Sequence, residues 1–272
     1  MFLGACAAAR DGVLSLWWLA LTVLGIFFLE VAKNASGEIF DFDSGTDRAI
    51  APEDRSPYSG GKRVLIDGLL TRERTIKIST ISYLLGIVIG LVIVRYREPR
   101  VFWLGVAGVA LAFFYNAPPL KLSYRGFGEL AVGISYGPLI TAGTYLVQRG
   151  TVTLKVILAS VVLGLLIAAF LWANEFPDYK ADLASGRHNL VVQLGRAKAA
   201  RAFVAIVALA GAVLAFLPLA GVAVGVWLGA FSLVPALISC RILLRNAEVA
   251  SRVVPAQAMI LLSFVLYALG SG

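Results

Sequence analysis

Long apolar stretches separated by short polar segments make up most of this chain. They cover about residues 13–32, 76–95, 101–115, 130–147, 153–173, 201–219, 222–243 and 255–270. Roughly 20 apolar residues cross the hydrocarbon core of a bilayer as a helix, and shorter stretches can do so inside a packed bundle. The pattern therefore predicts an all-α fold, a polytopic bundle of about eight transmembrane helices, with residues 1–272 forming one domain.

The chain begins with nine apolar residues that are too short to span a bilayer. Arg10 and Asp11 separate them from the next apolar stretch, and they lack the basic segment with which a signal peptide begins. We expect them to be the end of a further helix whose beginning is missing from this chain.

Composition agrees with a membrane protein. The chain is 59% hydrophobic and 15% charged, whereas soluble domains average about 45–50% apolar and about 25% charged residues. The net charge of +8 could indicate a protein that binds nucleic acid, but the basic residues lie between apolar stretches. We therefore expect a lipid bilayer as the partner and no nucleic acid. Cys6 and Cys240 have no CxxC spacing and His188 is the only histidine, which argues against a disulfide framework, a zinc site and a Ser-His-Asp triad.

Two clusters of carboxylate and amide side chains stand at the ends of apolar stretches. Each cluster has helical spacing and shares one helix face: Asn34, Glu38 and Asp41 in the first, and Asn174, Asp178 and Asp182 in the second. Ionisable groups at this depth are costly and usually line a functional cavity. Mg²⁺ prefers oxygen ligands and commonly binds with the phosphates of a substrate. Capping and solvation of helix ends is the alternative interpretation.

Topology places both clusters together. If every apolar stretch crosses once, the loops 34–75, 116–129, 174–200 and 244–254 lie on one side, with both clusters and most of the Lys and Arg residues. Because basic loops face the cytoplasm, we predict a multi-pass protein of the cell (inner) membrane whose active site faces the cytoplasm.

A long polar loop, residues 48–75, follows the first cluster. Residues 59–61 read Ser-Gly-Gly, which lets the backbone approach a ligand closely, and Lys62 and Arg63 follow at once. Long loops often act as lids. The loop is either such a lid or a connector that is basic only because of its topology.

A second loop on this side carries two further cations. Pro118 and Pro119 prevent a continuous helix, and Lys121 and Arg125 follow them near the membrane surface. These cations are either phosphate ligands or ordinary topology determinants.

Together these motifs resemble the UbiA superfamily of intramembrane prenyltransferases, and within it the branch that acts on 1,4-dihydroxy-2-naphthoate in menaquinone biosynthesis. The residues that carry the resemblance are Glu38, Asp41, Gly45 and Asp47, then Ser59 to Gly61, the stretch from Pro118 to Glu129, and Asp178 and Asp182 with Gly186, Arg187, Leu190, Leu194 and Gly195. Two positions depart from the family motif Asn-Asp-x-x-Asp, where this chain has Gly37 and Glu38. The family usually has nine helices, of which the first is nearly absent here.

The resemblance implies Mg²⁺-dependent transfer of a polyprenyl group from its allylic diphosphate to an aromatic acceptor, a quinone precursor such as 1,4-dihydroxy-2-naphthoate. The implied catalytic residues are Glu38, Asp41, Asp178 and Asp182. The implied metal ligands are Asn34, Glu38, Asp41, Asp47, Asn174, Asp178 and Asp182. The implied diphosphate ligands are Lys62, Arg63, Lys121, Arg125 and Arg187. Four tyrosines either face the allylic cation or anchor the helices at the interface: Tyr115, Tyr124, Tyr136 and Tyr145.

Two other functions remain open on the sequence alone. A related enzyme that cyclises its substrate, or uses a lipid acceptor, would keep the same Mg²⁺ and diphosphate site. A transporter would line a path with carboxylates, although transporters place their sites near the midplane between broken helices.

Overall fold

The structure, a computed structural model, describes residues 1–59 and 63–272. Its α-helices, in chain order, are α1 (Phe2–Arg10), α2 (Leu16–Ser44), α3 (Thr46–Ala49), α4 (Arg72–Tyr96), α5 (Val101–Phe114), α6 (Gly128–Ile134), α7 (Ile140–Arg149), α8 (Leu154–Ala184), α9 (Leu190–Leu194), α10 (Arg196–Phe216), α11 (Leu233–Asn246) and α12 (Ala250–Ser271). A π-helical turn, Ser135–Leu139, joins α6 to α7, and 3₁₀ helices form Pro52–Asp54, Leu122–Tyr124, Leu217–Ala220 and Val224–Ser232.

Seven helical stretches in the described residues are long and apolar enough to cross a membrane: Leu16–Ser44, Arg72–Tyr96, Gly128–Arg149, Leu154–Ala184, Arg196–Ala220, Val224–Asn246 and Ala250–Ser271. The predicted all-α membrane bundle is thereby confirmed. The eighth predicted stretch is α5, whose 14 residues span about 21 Å at 1.5 Å per residue, less than the roughly 30 Å of a bilayer core. None of the residues of α5 is buried.

Small residues let α2 and α4 lie close together. A Cβ added at Gly86 would lie 2.9 Å from Leu29 and 3.3 Å from the carbonyl oxygen of Gly25. The hydroxyl of Ser79 donates a 3.0 Å hydrogen bond to the carbonyl of Ala32. Membrane helices associate through such packing and interhelical hydrogen bonds because lipid supplies little hydrophobic driving force between them.

α8 lies at the centre of the bundle, against α6, the π-helical turn, α10 and α12. Leu166, Phe176 and Phe203 are among the fully buried side chains of this core. A Cβ at Gly137 would come within 2.6 Å of the Cα of Gly164, so only glycine permits this approach. The close packing fixes the position of the second acidic cluster, at the end of α8, relative to α6.

One end of the bundle is held by the turn between α4 and α5. Arg97 donates to the carbonyls of Val147 (2.7 Å) and Gln148 (2.8 Å). Arg100 donates a 2.7 Å hydrogen bond to the buried Glu98 carboxylate, and this bond holds the pKa of Glu98 below its ordinary value. These contacts join the α4–α5 turn to the end of α7.

The first residues are helical, as predicted, and α1 packs against α7 and α12. Tyr145 donates a 2.5 Å hydrogen bond to Asp11 at this end of the bundle. This contact favours the second of the two roles expected for Tyr145, an anchor of the helices, because it joins α7 to the segment after α1.

The long polar loop runs across the other end of the bundle. Ser56 donates a 2.6 Å hydrogen bond to Gln257 of α12, and the amide of Leu65 donates a 3.0 Å bond to Glu38 of α2. The loop thus connects the first and last long helices over the acidic end. Residues 60–62, part of the predicted lid, lie outside the described residues.

Candidate active site

Arg187 lies between the two acidic clusters. Its Nη2 donates to Asp41 Oδ1 at the end of α2, and its Nε is 3.8 Å from Asp182 Oδ1 at the end of α8. The two clusters are therefore at the same end of the bundle and face one another across a single guanidinium. Burial would lower the pKa of Arg187, but the carboxylates of Asp41 and Asp182 outweigh this effect and keep it above its ordinary value.

Negative charge is concentrated around Asp47, which follows α2 in the short helix α3. Asp47 is 6% exposed. Burial, and after it the charges of Asp41 and Glu38, raise its pKa to about 7. Its Oδ2 is buried and has no hydrogen-bond partner among the described residues. The predicted residues Glu38, Asp41 and Asp47 thus form one crowded acidic group that a cation would stabilise.

Tyr124 positions two cations at this acidic end. The guanidinium carbon of Arg187 is 4.7 Å, and the Nζ of Lys121 5.2 Å, from the centre of its ring. The backbone carbonyl of Tyr124 accepts a 3.0 Å hydrogen bond from the amide of His188. Cation–π contact with one ring brings together two residues that the sequence predicted as diphosphate ligands.

Asn189 orients Asp182. Its Nδ2 donates a 2.8 Å hydrogen bond to Asp182 Oδ2, while its Oδ1 caps α9 by accepting 2.9 Å from the amide of Val192. The asparagine is therefore fixed at both ends of its amide, and it leaves Asp182 Oδ1 directed toward Arg187. Sequence reasoning missed Asn189, although an asparagine directly before a short apolar helix is a typical N-cap.

The remaining predicted metal ligands differ in their surroundings. Asp178 lies one turn before Asp182, is partly buried and makes an interaction of its own. Asn174 is buried, and its amide oxygen accepts a 3.1 Å hydrogen bond from Gln257. Asn34 is exposed on α2. The structure therefore brings Asp182 into contact with the first cluster through Arg187, whereas the two amides are not part of that contact.

The other predicted diphosphate ligands are more scattered. Arg63 is near the first cluster, where its Nη1 donates a 3.2 Å hydrogen bond to the carbonyl of Asp47 and its Nε to Asp67. Arg125 is exposed in the loop before α6. Lys62 lies outside the described residues.

A second group of charged side chains, missed by sequence reasoning, lies deeper along α2. Lys33 Nζ donates a 2.9 Å hydrogen bond to the hydroxyl of Tyr136 and is 3.6 Å from the carboxylate of Glu30. The Tyr136 hydroxyl also donates to Glu30. The signal was present in the sequence, since Glu30 and Lys33 interrupt an apolar stretch at i, i+3, and charges inside a membrane helix usually mark function.

These three side chains open onto a small cavity of about 80 Å³ that also touches Tyr115. Lys33 Nζ lies 5.3 Å from the ring centre of Tyr136 and 6.0 Å from that of Tyr115. The rest of its wall is formed by apolar residues of α2, α5, α6, α7 and the π-helical turn, together with the polar Ser135. It is a mostly apolar pocket with one cation, Lys33, and one carboxylate, Glu30, at its wall.

The acidic end is chemically suited to Mg²⁺. In the described part of the chain no three acidic, cysteine or histidine side chains converge closely enough to hold a metal by themselves. Asp47 Oδ2 and Asp182 Oδ1, however, are buried carboxylate oxygens without a hydrogen-bond partner. Because Mg²⁺ usually keeps several waters and binds through one or two carboxylates plus substrate phosphates, these residues fit a metal that binds together with a phosphate group.

Comparison with known proteins agrees with this geometry. Residues 1–269 match the UbiA prenyltransferase family. A 1,4-dihydroxy-2-naphthoate octaprenyltransferase of Mycobacterium tuberculosis is 30% identical over 198 residues, 72% of this chain and 65% of that protein. A 2-carboxy-1,4-naphthoquinone phytyltransferase of Synechocystis is 30% identical over 164 residues, 60% of this chain and 50% of that protein. The chain thus spans about half to two thirds of the length of these relatives.

Solved structures show the same fold. The apo structure of a UbiA homolog from Aeropyrum pernix superposes with a TM-score of 0.73 at 18% identity, covering 97% of this chain and 93% of that one. A UbiA homolog from Archaeoglobus fulgidus bound to GPP and Mg²⁺ superposes with a TM-score of 0.69 at 15% identity, covering 98% and 94%. At these identities the likeness concerns the fold.

Proposed function

This chain belongs to the UbiA prenyltransferase family, and on that premise we propose that it transfers a polyprenyl group from an allylic diphosphate to an aromatic acceptor in a Mg²⁺-dependent reaction. The acceptor we propose is a quinone precursor, 1,4-dihydroxy-2-naphthoate or a compound of the same kind, as the names of the relatives suggest. The whole chain, residues 1–272, would act as one catalytic domain.

The observation that carries this proposal is the position of Arg187. A fixed cation lies between the two acidic clusters. Asp47, beside the first cluster, and Asp182, in the second, each have a buried carboxylate oxygen with no hydrogen-bond partner in the described part of the chain. A diphosphate is an anion that binds to cations, and it also brings Mg²⁺ to carboxylates. A site with carboxylates on two sides and a guanidinium in the middle can therefore bind both the diphosphate and its Mg²⁺.

In this mechanism Glu38, Asp41, Asp47, Asp178 and Asp182 would hold Mg²⁺. When bound, the metal would offset the negative charge that develops on the leaving diphosphate as the allylic C–O bond breaks. The fixed side chains act in the same direction, because preorganised cations stabilise charge that appears only in the transition state.

Arg187 and Lys121 would bind the phosphate oxygens. Both rest on the ring of Tyr124, so their positions are set before the substrate arrives. When Arg187 turns to a phosphate, it releases Asp41 for the metal.

The acceptor would occupy the cavity beside Lys33. Dihydroxy-arenes and their carboxylates are acidic, and the ammonium of Lys33 would stabilise their anion. Glu30, hydrogen-bonded to Tyr136, would accept the proton that the acceptor loses. The ring faces of Tyr115 and Tyr136 lie on the same cavity, where their π-electrons can stabilise the allylic cation.

We also propose that the acidic end faces the cytoplasm in the cell membrane. This rests on the basic loops at that end. Labelling of single introduced cysteines, one at exposed Arg125 and one at exposed Arg100, in sealed right-side-out vesicles tests it. A reagent added outside should label only the cysteine at position 100. Labelling only at position 125 would show that the acidic end faces away from the cytoplasm.

The function is tested with membranes that contain the full chain, labelled geranylgeranyl diphosphate and Mg²⁺, with and without 1,4-dihydroxy-2-naphthoate. A prenylated naphthoquinol formed only with both acceptor and metal is the expected result. Release of a hydrocarbon or alcohol without acceptor would instead indicate a cyclase. Absence of any allylic diphosphate turnover or binding would contradict the proposal and favour a transporter.

A further inference from the structure

A buried polar link joins three distant parts of the chain. Gln257 of α12 is fully buried. One end of its amide, Oε1, accepts a 2.6 Å hydrogen bond from the hydroxyl of Ser56, and the other end, Nε2, donates a 3.1 Å bond to Oδ1 of Asn174 on α8. Ser56 and Asn174 are buried as well. They lie 201 and 83 residues from Gln257, so only the fold brings these three side chains together.

Ser56 belongs to residues 52–59 of the long polar loop, which we call the anchor segment. The amide of Tyr58 donates a 3.2 Å hydrogen bond to the Ser56 hydroxyl oxygen. The ring of Tyr58 meets that of Phe170 on α8 edge to face at 6.3 Å, and Phe170 in turn meets Phe264 on α12 at 5.6 Å. The anchor segment therefore contacts both α8 and α12 through one polar link and one group of aromatic rings.

A further contact of the anchor segment is weaker. Lys180 of α8 lies 3.1 Å from the carboxylate of Asp54, but the lysine side chain is 64% exposed. Water screens such an exposed ion pair, which therefore contributes little. A buried amide that loses a partner, by contrast, keeps the full cost of its desolvation. The Gln257 link is thus the stronger polar attachment of the segment.

The anchor segment leads directly to the acidic end of the bundle. Arg63, seven residues after Ser56, donates a 3.2 Å hydrogen bond to the carbonyl of Asp47 and has only 15% of its side chain exposed. The hydroxyl of Ser59, three residues after Ser56, is buried and has no hydrogen-bond partner among the described residues. Because so few residues separate them, the position of Ser56 restricts the positions that Arg63 can reach.

We propose that Gln257 is a positioning residue for the diphosphate site. By joining Ser56 to Asn174, it holds the anchor segment on the bundle and keeps Arg63 beside Asp47, where Arg63 binds a phosphate oxygen of the substrate. In this role Asn174 acts on the loop through Gln257. The inference rests on the proposed function, and it adds a residue of α12 that lies outside both acidic clusters.

Two serines provide a matched pair for the test. Ser56 and Ser239 are both buried, and each hydroxyl donates one hydrogen bond to α12: Ser56 to the Gln257 side chain and Ser239 to the carbonyl of Ala256 at 2.9 Å. Replacement by alanine removes one buried hydrogen bond in either case. Only Ser56 belongs to the anchor segment, so an effect confined to Ser56→Ala reports on the loop and not on the packing of α12.

The first experiment measures the Kd for geranylgeranyl diphosphate with Mg²⁺ and the KM for 1,4-dihydroxy-2-naphthoate in the full chain. Ser56→Ala and Gln257→Met should each raise the Kd roughly tenfold and leave the KM for the acceptor within about twofold. Ser239→Ala should match the wild type in both. An unchanged Kd in Ser56→Ala, or an equal rise in Ser239→Ala, would overturn the proposal even if Gln257→Met fails to fold.

The second experiment tests whether Asn174 acts through Gln257. Residues of one hydrogen-bonded network have non-additive effects, so Asn174→Ala should raise the Kd as much as Gln257→Met, and the double variant should lose no more than either. Half-saturation by Mg²⁺ should be the same in the two single variants. A higher Mg²⁺ requirement in Asn174→Ala alone would assign Asn174 to the metal and overturn its place in the link.

A measurement without substrate separates this inference from the proposed function. Trypsin cleaves after Arg55, which is exposed in the anchor segment. A segment that has lost its attachment opens more often, so cleavage there should be at least about fivefold faster in solubilised Ser56→Ala than in the wild type or Ser239→Ala. Equal cleavage in all three would overturn the anchoring. Faster cleavage of Ser56→Ala, in a protein whose wild type binds no allylic diphosphate, would refute the proposed function and retain the anchor.

Discussion

Arg187 donates a hydrogen bond to Asp41, a residue 146 positions earlier in the chain. This single contact brings the loop after α8 against the end of α2 and joins the two acidic clusters. The pair is mostly buried, with 16% of the Arg187 side chain and 24% of the Asp41 side chain exposed. Buried charges need partners, so the arginine stabilises the two acidic clusters.

Replacing Arg187 should weaken diphosphate binding. Hydrogen bonds to charged groups contribute about 2 kcal/mol, so Arg187→Gln should raise the Kd for a prenyl diphosphate in the presence of Mg²⁺ by roughly 30-fold. Arg72→Gln is the matched control, because Arg72 pairs with Asp43 at the same end through two hydrogen bonds but stands in the solvent. Equal loss in the two variants, measured by equilibrium binding, would contradict the role of Arg187.

The carboxylates of Asp41 and Asp182 should be required for turnover. Asp41→Asn and Asp182→Asn keep the side-chain shape but remove the charge, and each should lower kcat by about 100-fold or more. Initial rates at saturating Mg²⁺ measure this, with the thermal midpoint of each variant as a folding check. Asp43→Asn, two residues from Asp41 and paired with exposed Arg72, should retain activity. Activity near that of the wild type in both site variants would remove these residues from the metal site.

Lys33 should affect the acceptor and not the diphosphate. Lys33→Met removes the cation that faces the small cavity, so the KM for 1,4-dihydroxy-2-naphthoate should rise roughly tenfold, while the Kd for the prenyl diphosphate stays unchanged. Lys77→Met is a suitable control, because Lys77 lies exposed on α4 and pairs with Glu73 at 2.8 Å. If Lys33→Met changed only the Kd for the prenyl diphosphate and left the KM for the acceptor unchanged, Lys33 would act on the diphosphate and not on the acceptor.

Glu98 should matter for stability and not for catalysis. Glu98→Gln removes the negative charge and one of the two oxygens that accept the Arg100 hydrogen bonds, at the end opposite the acidic clusters. Because Arg100 is exposed, we expect a loss of about 1 kcal/mol in the free energy of unfolding. The pKa of Glu98 is lowered in the folded state, so the folded protein binds this proton less readily than the unfolded one. The stabilisation is therefore fully present above the ordinary pKa of 4.5 and is lost as the pH falls through the lower folded-state pKa.

Denaturation curves of wild type and Glu98→Gln at neutral and acidic pH measure this difference. It should be present at pH 7 and shrink below about pH 4. A variant with wild-type stability at pH 7, or with lowered turnover, would contradict a purely structural role of Glu98 in the α4–α5 turn.

Much of the architecture could be predicted because the bilayer constrains it strongly. A helix is one of the few structures that satisfies every backbone polar group in lipid, so a long apolar stretch defines both an element and its approximate bounds. The helical spacing of Glu38 with Asp41, and of Asp178 with Asp182, likewise predicts two acidic helix faces. The predicted span 13–32 ended too early, since α2 continues to Ser44. Lys33 thus fell one residue outside the predicted membrane span that contains Glu30, and their pairing at i, i+3 was missed.

Contacts between distant parts of the chain could not be predicted. Nothing in the local pattern around Asn174 shows that its amide is engaged by Gln257, 83 residues later. The same holds for Tyr145, whose hydroxyl binds Asp11 across 134 residues. The ligand sets inferred by resemblance therefore stay predictions at Asn34 and Asn174, while Asp41, Asp182 and Arg187 gain a geometric basis.

The unburied helix α5 has a consequence for how this protein can diverge. Substitutions at surface positions usually change the free energy of folding by no more than about 0.5 kcal/mol, and every residue of α5 is at least partly exposed. Mutations on α5 can therefore reshape one wall of the cavity beside Lys33, to which Gly108, Leu111 and Ala112 contribute, at little cost to folding, while the acidic end, built on α2 and α8, is unaffected. Under the proposed function, descendants of this sequence could change which acceptors they use through this one helix, with the Mg²⁺ and diphosphate site left intact.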